Sequence, residues 1–193
     1  MKENMHLPII LISGTPGTGK STLAKYLSEK LTFYSINCTQ LVKEKRIASY
    51  FDKRRECYVV DVKKLNSTLK SEILRLKKLT SSKKLNLKGI IIDSHLSHFF
   101  PEKETSLCII CKCPLPILRK RLESRGYSKD KVRENLDAEI FEVCLQEAIE
   151  NGHTIIEVDT SKPDCLVSTL KKVKTLLNTP DDLSRTCPEM SQN

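Results

Sequence analysis

The residues best suited to chemistry in this chain of 193 residues lie together at positions 14–21. Their sequence, Gly-Thr-Pro-Gly-Thr-Gly-Lys-Ser, has the spacing of a P-loop, whose glycines let backbone N–H groups surround a phosphate. Within this motif, Lys20 is predicted to reach the β- and γ-phosphates, and the Ser21 hydroxyl is predicted to bind Mg²⁺. The segment therefore predicts a nucleoside triphosphate site.

Two further polar residues follow a run of three isoleucines at positions 90–92. Asp93 comes directly after that run, as a Walker B acid does, and its carboxylate is predicted to hold the hydration shell of Mg²⁺ beside Ser21. His95 lies just past the predicted strand end, where open α/β sheets bind ligands, and could position or deprotonate an attacking water. A loop histidine without a catalytic task is the alternative for His95.

Basic residues surround the dipeptide Gly126-Tyr127 and predict a short closing lid. Planar guanidinium groups match the negative charge of a transferring phosphoryl group, and Arg125 is the arginine expected to engage it. A positively charged helix–helix connection without a catalytic task is the alternative. The cations of this region are Arg119, Arg121, Arg125, Lys129, Lys131 and Arg133.

The eight cysteines favour neither a metal site nor disulfides. Cys108, Cys111 and Cys113 have the spacing C-x-x-C-x-C, but positions 108 and 111 fall in an apolar strand, where side chains at that separation point to opposite faces. No second pair of cysteines or nearby histidine completes a set of four ligands. We expect buried structural cysteines, with reduced thiols because the sequence predicts neither a secretory signal nor a transit peptide.

The elements that must position these residues alternate between strands and helices, which predicts a parallel sheet covered on both faces. One domain is expected at residues 1–177, followed by a flexible C-terminal tail at 178–193. Strands are predicted at residues 8–12, 33–36, 90–92, 107–111 and 154–158, and residues 58–60 form a further brief apolar run. Helices are predicted directly after the P-loop, at 38–45, at 62–79, from 114, at 131–149 and at 163–177.

Composition indicates a globular protein without a membrane span, since 39% of the residues are hydrophobic, 30% are charged and no apolar run is long enough to cross a bilayer. The formal net charge is +9, and much of it lies in residues 43–55 and 63–88. A basic surface favours polyanionic partners such as RNA. A solvated helix face is an equally open interpretation, because aromatic residues that stack on bases are scarce there.

Several of these motifs together resemble the adenylate kinase isoenzyme 6 family, small nuclear kinases and ATPases involved in maturation of the small ribosomal subunit. The resemblance runs from about residue 8 to residue 177, and its most specific parts are the Asp-x-His form of Walker B and the Arg-Gly-Tyr lid. The motifs that carry it are the P-loop, Asp93-Ser94-His95, Phe99-Phe100-Pro101, Arg125-Gly126-Tyr127, Glu134-Asn135 and Glu139-Ile140-Phe141.

This resemblance implies an α/β fold of the P-loop NTPase class, with a five-stranded parallel sheet and helices on both faces. It also implies an NMP-binding segment at about residues 37–62 and a short lid at about 124–134. The implied activity is transfer of the ATP γ-phosphate to AMP, with tolerance for other monophosphates, together with ATP hydrolysis. Contacts with ATP are implied for Gly17, Gly19, Lys20, Ser21, Thr22, Arg125 and Lys162, the last of these near the adenine.

Partners and location are implied by the same resemblance. The expected small molecules are ATP, AMP and the cofactor Mg²⁺, and the expected macromolecules are a small-subunit ribosomal protein and pre-ribosomal RNA. No membrane partner is expected. The protein is expected in the nucleus and also in the cytoplasm, as a monomer or weak dimer.

The NMP-binding segment departs from the family pattern, because Thr39-Gln40-Leu41 replaces Gly-Asp-Leu and Lys53-Arg54-Arg55 replaces an acidic stretch. Three functions remain open at this point: an NMP kinase with ATPase activity, an ATP-gated assembly factor with incidental kinase turnover, and an RNA-binding P-loop ATPase. His95 favours hydrolysis, whereas the lid arginines favour transfer.

Overall fold

A computed structural model describes residues 7–52 and 57–178. The strands within this part of the chain are β1 (Ile9–Ser13), β2 (Phe33–Asn37), β3 (Ala48–Asp52), β4 (Cys57–Val60), β5 (Gly89–Asp93), β6 (Leu107–Lys112) and β7 (Ile155–Asp159). The helices are α1 (Lys20–Leu31), α2 (Cys38–Lys45), α3 (Val62–Ser81), α4 (Leu115–Glu123), α5 (Lys129–Ile140), α6 (Val143–Glu150) and α7 (Cys165–Asn178). Two short 3₁₀ helices, Ser97–Phe99 and Glu102–Glu104, lie between β5 and β6.

Five strands form one sheet in the order β2-β5-β1-β6-β7, and all of its neighbouring strands run parallel. This arrangement confirms the predicted five-stranded parallel sheet. All positions of β1 and β5 are buried, which explains why these strands are apolar without alternation. Because parallel strands end at one edge, residues that follow β1, β5, β6 and β7 are brought together there.

Helices cover both faces of the sheet, as predicted. On one face, α2, α3 and α6 pack on one set of alternate strand residues, including Leu11 and Ile92. On the other face, α1 and α7 pack on the remaining set, including Ile10 and Ile91. A smaller cluster of Cys113, Leu118, Leu122, Val132 and Leu136 joins α4 to α5 beside the predicted lid.

Polar side chains determine where three of the helices begin. The Asn37 side chain accepts a hydrogen bond from the backbone N–H of Gln40 at the start of α2, and Asp61 does the same for Lys64 in α3. Ser128 caps α5 through the N–H of Lys131, which ends the loop that follows α4. The predicted lid therefore consists of a short connection, residues 124–128, and the first half of α5.

The prediction of one helix at residues 131–149 is wrong. Phe141 and Glu142 are not helical, and they separate α5 from α6. Glu142 has a φ of 50° in the left-handed region, which ends a helix. Its carboxylate accepts a hydrogen bond from the Lys112 ammonium at the end of β6, and Glu139 accepts one from the backbone N–H of Cys113. These tertiary contacts compete with the local helical pattern, which continues through the break.

Two other elements differ from the sequence prediction. Residues 58–60, which the sequence marks only as a brief apolar run, belong to β4, and β4 pairs with the unpredicted strand β3 in a separate antiparallel sheet. The last helix begins at Cys165 rather than at residue 163. The predicted tail from 179 onward and the cations at 53–55 lie outside the described residues. No helix in the described part of the chain is both long and apolar enough to span a membrane.

Candidate active site

The loop between β1 and α1 lies against the end of β6 and is shaped by that contact. Gly14 has a φ of 132°, and a Cβ at this position would lie 2.3 Å from the backbone oxygen of Cys111. Only glycine allows this approach. Thr18 closes the loop by donating from its hydroxyl to the Thr15 carbonyl at 2.8 Å. The glycine spacing therefore builds a preformed loop at the N-terminus of α1, where backbone N–H groups and the helix dipole favour a phosphate.

The Lys20 ammonium lies inside this loop. It donates hydrogen bonds to the carbonyl oxygens of Gly14 at 2.7 Å and Thr15 at 2.9 Å. Burial lowers the pKa of Lys20, the nearby Arg125 charge adds to that shift, and the Asp93 carboxylate opposes it. The side chain thus holds its cation at the place where the P-loop pattern predicts the β- and γ-phosphates.

Asp93 ends β5 directly beside β1 and is 4% exposed. Its carboxylate accepts a hydrogen bond at 3.1 Å from the side-chain amide of Asn37, which ends β2 on the other side of β5. The side-chain oxygen of Asn37 caps α2. One residue therefore fixes both the start of α2 and the position of the Asp93 carboxylate. The sequence did not reveal Asn37, because its role depends on β2 and β5 being neighbours.

The oxygen donors of this region fit Mg²⁺. A carboxylate at Asp93 and an exposed hydroxyl at Ser21 are hard ligands of the kind that this ion prefers. Mg²⁺ in phosphate sites keeps several waters and uses only one or two protein oxygens, so a cage of protein ligands is not needed. Ser21 and Thr22 lie in the exposed first turn of α1. Asp93, at the end of β5, is the second residue predicted to bind the ion.

His95 is exposed in the loop after β5 and is placed at the same edge of the sheet. The surrounding protein and the positive charge of Lys20 lower the pKa of its imidazole, which keeps the ring neutral at pH 7. A neutral ring can accept a proton or a hydrogen bond from water. The backbone at His95 is held by the Cys144 thiol, whose sulfur lies 3.9 Å from the His95 carbonyl oxygen.

A buried polar network supports the start of the P-loop and was not predicted. His98 is fully buried, with Nδ1 2.7 Å from the Ser13 hydroxyl and Nε2 2.9 Å from the Glu147 carboxylate on α6. Because the carboxylate accepts, Nε2 carries the proton and Nδ1 accepts from Ser13, which directly precedes Gly14. The His98 carbonyl in turn accepts from His153 at 2.8 Å. Residues 94–98 and the end of β1 are therefore tied together.

Arg121 is the arginine that touches the P-loop. Its guanidinium donates to the Gly17 carbonyl at 3.4 Å and to the Thr160 hydroxyl at 3.3 Å. The Thr160 hydroxyl also lies 2.6 Å from the Thr18 carbonyl, so the loop after β7 is joined to the P-loop. The sequence placed Arg121 in the basic lid region but did not single it out, and it gave no signal for Thr160.

The other predicted cations are less constrained. Arg125 is exposed in the connection between α4 and α5, yet its charge still acts on Lys20. Lys162 is exposed in the loop after β7, next to a turn in which Asp159 accepts from the backbone and hydroxyl of Ser161 at 2.9 and 2.6 Å. Neither Arg125 nor Lys162 has a fixed side-chain partner among the hydrogen bonds of the described residues.

The predicted NMP-binding segment contains α2 and the β3–β4 sheet. Three of its aromatic side chains are exposed, and the rings of Phe51 and Tyr58 meet edge to face with centroids 5.2 Å apart. Tyr50 is the third and is 60% exposed. Exposed aromatic rings can stack on a nucleobase.

The cysteines of β6 lie on opposite faces of the sheet, as predicted. Cys108 packs in the layer of α3 and Cys111 in the layer of α1, while Cys113 joins the separate α4–α5 cluster. Burial raises the pKa of Cys108 and Cys111 to about 12, so both thiols stay protonated at neutral pH. Buried protonated thiols serve packing rather than metal binding.

Comparison with known proteins places this geometry in a family. A family model described as an AAA domain matches residues 10–142. An adenylate kinase isoenzyme 6 homologue from Caenorhabditis elegans is 38% identical over 149 residues, covering 77% of this chain and 76% of the relative. The chain belongs to the adenylate kinase isoenzyme 6 family.

A second relative agrees with this membership, and a solved structure shows the same fold. The isoenzyme 6 homologue from Schizosaccharomyces pombe is 34% identical, with 89% of this chain and 92% of the relative covered. Shikimate kinase from Acinetobacter baumannii has a similar structure, with a TM-score of 0.55 at 17% identity, covering 91% of this chain and 96% of that chain. The first result confirms the predicted enzyme class, an adenylate kinase, and the second confirms the fold of P-loop kinases.

Proposed function

We propose that this protein transfers the γ-phosphate of ATP to AMP, accepts other nucleoside monophosphates to some degree, and also hydrolyses ATP. The observation that supports this most strongly is the Lys20 ammonium held within the P-loop at the same sheet edge as the carboxylate of Asp93. A cation for the phosphates and an acid for Mg²⁺ are the two parts that phosphoryl transfer requires.

ATP binding is expected to use the preformed loop first. The backbone N–H groups of residues 17–19 and the start of α1 receive the phosphates, and Lys20 exchanges the carbonyls of Gly14 and Thr15 for phosphate oxygens. Asp93 and Ser21 would hold Mg²⁺, in part through water. The ion, when bound, neutralises charge on the β- and γ-phosphates.

Transfer then depends on the exposed elements. An α-phosphate oxygen of AMP attacks the γ-phosphorus, the bond from that phosphorus to the bridging oxygen breaks, and two molecules of ADP result. Arg125 lies on the connection between α4 and α5, and closing that lid would bring its guanidinium to the charge that develops on the transferring group. The exposed aromatic rings of β3 and β4 are available to the base of the monophosphate.

Hydrolysis is a second candidate activity, favoured by the neutral and exposed imidazole of His95. In that reaction a water oxygen attacks the γ-phosphorus, His95 orients this water by accepting a hydrogen bond from it, the proton of the water passes to the phosphate that is formed, and ADP and phosphate are released. In transfer to AMP the attacking oxygen belongs to the nucleotide and carries no proton, so His95 has no such task.

The cellular role we propose is maturation of the small ribosomal subunit, in the nucleus and also in the cytoplasm. A small-subunit ribosomal protein and pre-ribosomal RNA are the expected partners, as the family resemblance implies. The ATP cycle would then gate release of the protein from a pre-ribosomal particle, and this version requires ATP hydrolysis, the reaction proposed for His95.

One assay separates these possibilities: ATP consumption by the pure protein, with and without AMP, and with and without a small-subunit ribosomal protein or RNA. An NMP kinase shows a rate that rises with AMP. An ATP-gated assembly factor shows hydrolysis without AMP that the ribosomal protein or RNA accelerates. ATP consumption that none of these additions changes would contradict both roles.

A further inference from the structure

The solvent face of α3 carries a dense set of positive charges. Residues 63–88, which include most of α3 and the turn after it, contain nine basic residues and one acidic residue, so they carry most of the net charge of +9. The opposite face of α3, formed by Leu65, Leu69, Ile73 and Leu76, is buried in the core. The cations are therefore displayed on one side of a fixed helix of 20 residues, about 30 Å long.

Few of these cations are neutralised by the protein itself. Arg75 is paired with Glu72 at 2.6 Å, and Lys70 is paired with Glu104 at 2.5 Å. Within residues 7–52 and 57–178, no carboxylate forms an ion pair with the others, which are Lys63, Lys64, Lys77, Lys78, Lys83, Lys84 and Lys88. Uncompensated lysines along one helix face favour a ligand with regularly spaced negative charge.

The composition of the face points to a phosphate backbone rather than to bases or lipid. Residues 62–88 contain no aromatic side chain, so stacking on unpaired bases has no platform there. The only arginine, Arg75, has its guanidinium engaged by Glu72 at two atoms. Leu74 is the one large exposed apolar residue of the helix, which is too little for insertion into a membrane surface.

Exposed hydroxyl groups lie among the lysines of this face. Ser67, Ser71 and Ser81 donate their hydrogens to the backbone carbonyls one turn earlier, at 2.9, 3.0 and 2.9 Å. Their oxygens therefore remain available as acceptors. A ribose 2′-hydroxyl is a donor, and RNA duplexes display these groups beside the phosphates in a wide, shallow minor groove.

We propose that the solvent face of α3 and the turn after it bind double-helical RNA through its backbone, independently of base sequence. Lysines contact phosphates, and the serine oxygens accept hydrogen bonds from 2′-hydroxyls. The choice of RNA agrees with the proposed role in ribosome maturation, but the surface lies outside the nucleotide site and does not depend on turnover.

The test measures binding of the full chain to an RNA duplex of about 20 base pairs by fluorescence anisotropy, without nucleotide, at several salt concentrations. The variant carries Lys63→Gln, Lys64→Gln and Lys78→Gln, three exposed cations without an ion pair on α3. The matched control carries Lys171→Gln, Lys172→Gln and Lys174→Gln on α7, three equally exposed lysines on the other side of the sheet.

We expect the α3 variant to bind about 10- to 100-fold more weakly near 0.1 M salt and to lose about 2–3 units of the log–log salt slope, since each phosphate contact contributes about 0.7–0.9. The α7 control should stay within about twofold of the original protein. Equal losses in both variants, or no loss in the α3 variant, would overturn the proposal.

Two further arms test the identity of the ligand. A DNA duplex of the same sequence and the single RNA strand should each bind more weakly than the RNA duplex, and equal binding of either would overturn the assignment to double-helical RNA. Both triple variants should retain nucleotide turnover. If the original protein shows no AMP-dependent turnover, the proposed function is contradicted. The inference about RNA is unaffected, because RNA binding is measured without nucleotide.

Discussion

The carboxyl edge of the central sheet and the segments that face it differ in how firmly their functional side chains are held. At the sheet edge, Lys20, Asp93 and His98 are fixed by hydrogen bonds of 2.7–3.1 Å. In the lid connection and the β3–β4 sheet, Arg125 and Tyr50 are exposed. The side chains of the first region are held by hydrogen bonds within the protein, whereas those of the second are open to solvent.

This difference matches two separate requirements of phosphoryl transfer. Groups that hold phosphate and metal stabilise charge best when they need no reorganisation during the reaction. Groups that exclude water and complete the site must open for exchange of substrate and product. Arg121 joins the two regions, because it reaches from α4 to the Gly17 carbonyl and to Thr160.

Loss of the fixed cation should have the largest effect. Lys20→Ala is expected to reduce ATP turnover on the order of 10³-fold, because a positioned charge on the transferring group contributes several kcal/mol to lowering the barrier. Steady-state ADP formation measures this effect. Lys25→Ala, an exposed lysine on the same helix, is the control and should stay near the original rate. Turnover within threefold of the original protein in Lys20→Ala would contradict the P-loop assignment.

Arg125 tests the exposed region. Arg125→Ala should lower kcat on the order of 10²-fold while changing the Kd for ATP little, because its guanidinium engages charge that develops during transfer. Calorimetric titration gives Kd, and initial rates give kcat. Arg119→Ala, an exposed arginine on α4, serves as the control. A raised KM with unchanged kcat would show that Arg125 binds the ground state instead.

The buried network should be tested by stability rather than by rate. His98→Ala removes the partner of both Ser13 and Glu147 and leaves a cavity, which we expect to destabilise the fold by about 2–4 kcal/mol. Glu147→Gln keeps an acceptor at a partly exposed position and should cost less than about 1 kcal/mol. Urea unfolding of the two variants gives the comparison. Equal stabilities would show that His98 does not hold the sheet edge.

His95 should give the smallest effect and the most selective one. His95→Ala is expected to reduce ATP hydrolysis about tenfold or more relative to transfer to AMP, because only hydrolysis needs an oriented water. Both rates are measured in one preparation at one Mg²⁺ concentration, so each serves as the reference for the other. If the rates of hydrolysis and of transfer fall equally, His95 only supports the metal site. If the rate of hydrolysis is unchanged, His95 does not position the water.

The parts that could be predicted from sequence are those whose chemistry is local. The P-loop pattern, the apolar run before Asp93 and the continuous apolar strands each depend on neighbours along the chain, and the parallel sheet followed from them. The break at Glu142 escaped prediction because the contact with Lys112 joins residues 30 positions apart in sequence. Helical periodicity carries no information about such a contact.

The missed residues of the site have the same cause. Asn37 reaches Asp93 only because β2 lies beside β5, and His98 reaches Ser13 only because residues 94–98 fold back on the end of β1. Thr160 meets the P-loop because β7 ends next to β6. Each role follows from strand order, which a motif cannot encode.

The central claim is that the site at the carboxyl edge of the sheet transfers a phosphoryl group from ATP to AMP. The most direct test uses ATP labelled at the γ-phosphate and measures which product carries the label. With AMP present, we predict that most of the label appears in ADP, and that it appears only in inorganic phosphate when AMP is left out. His95→Ala should lower the phosphate fraction further. Label that enters phosphate alone, at the same rate with and without AMP, would contradict phosphotransfer and leave an ATPase.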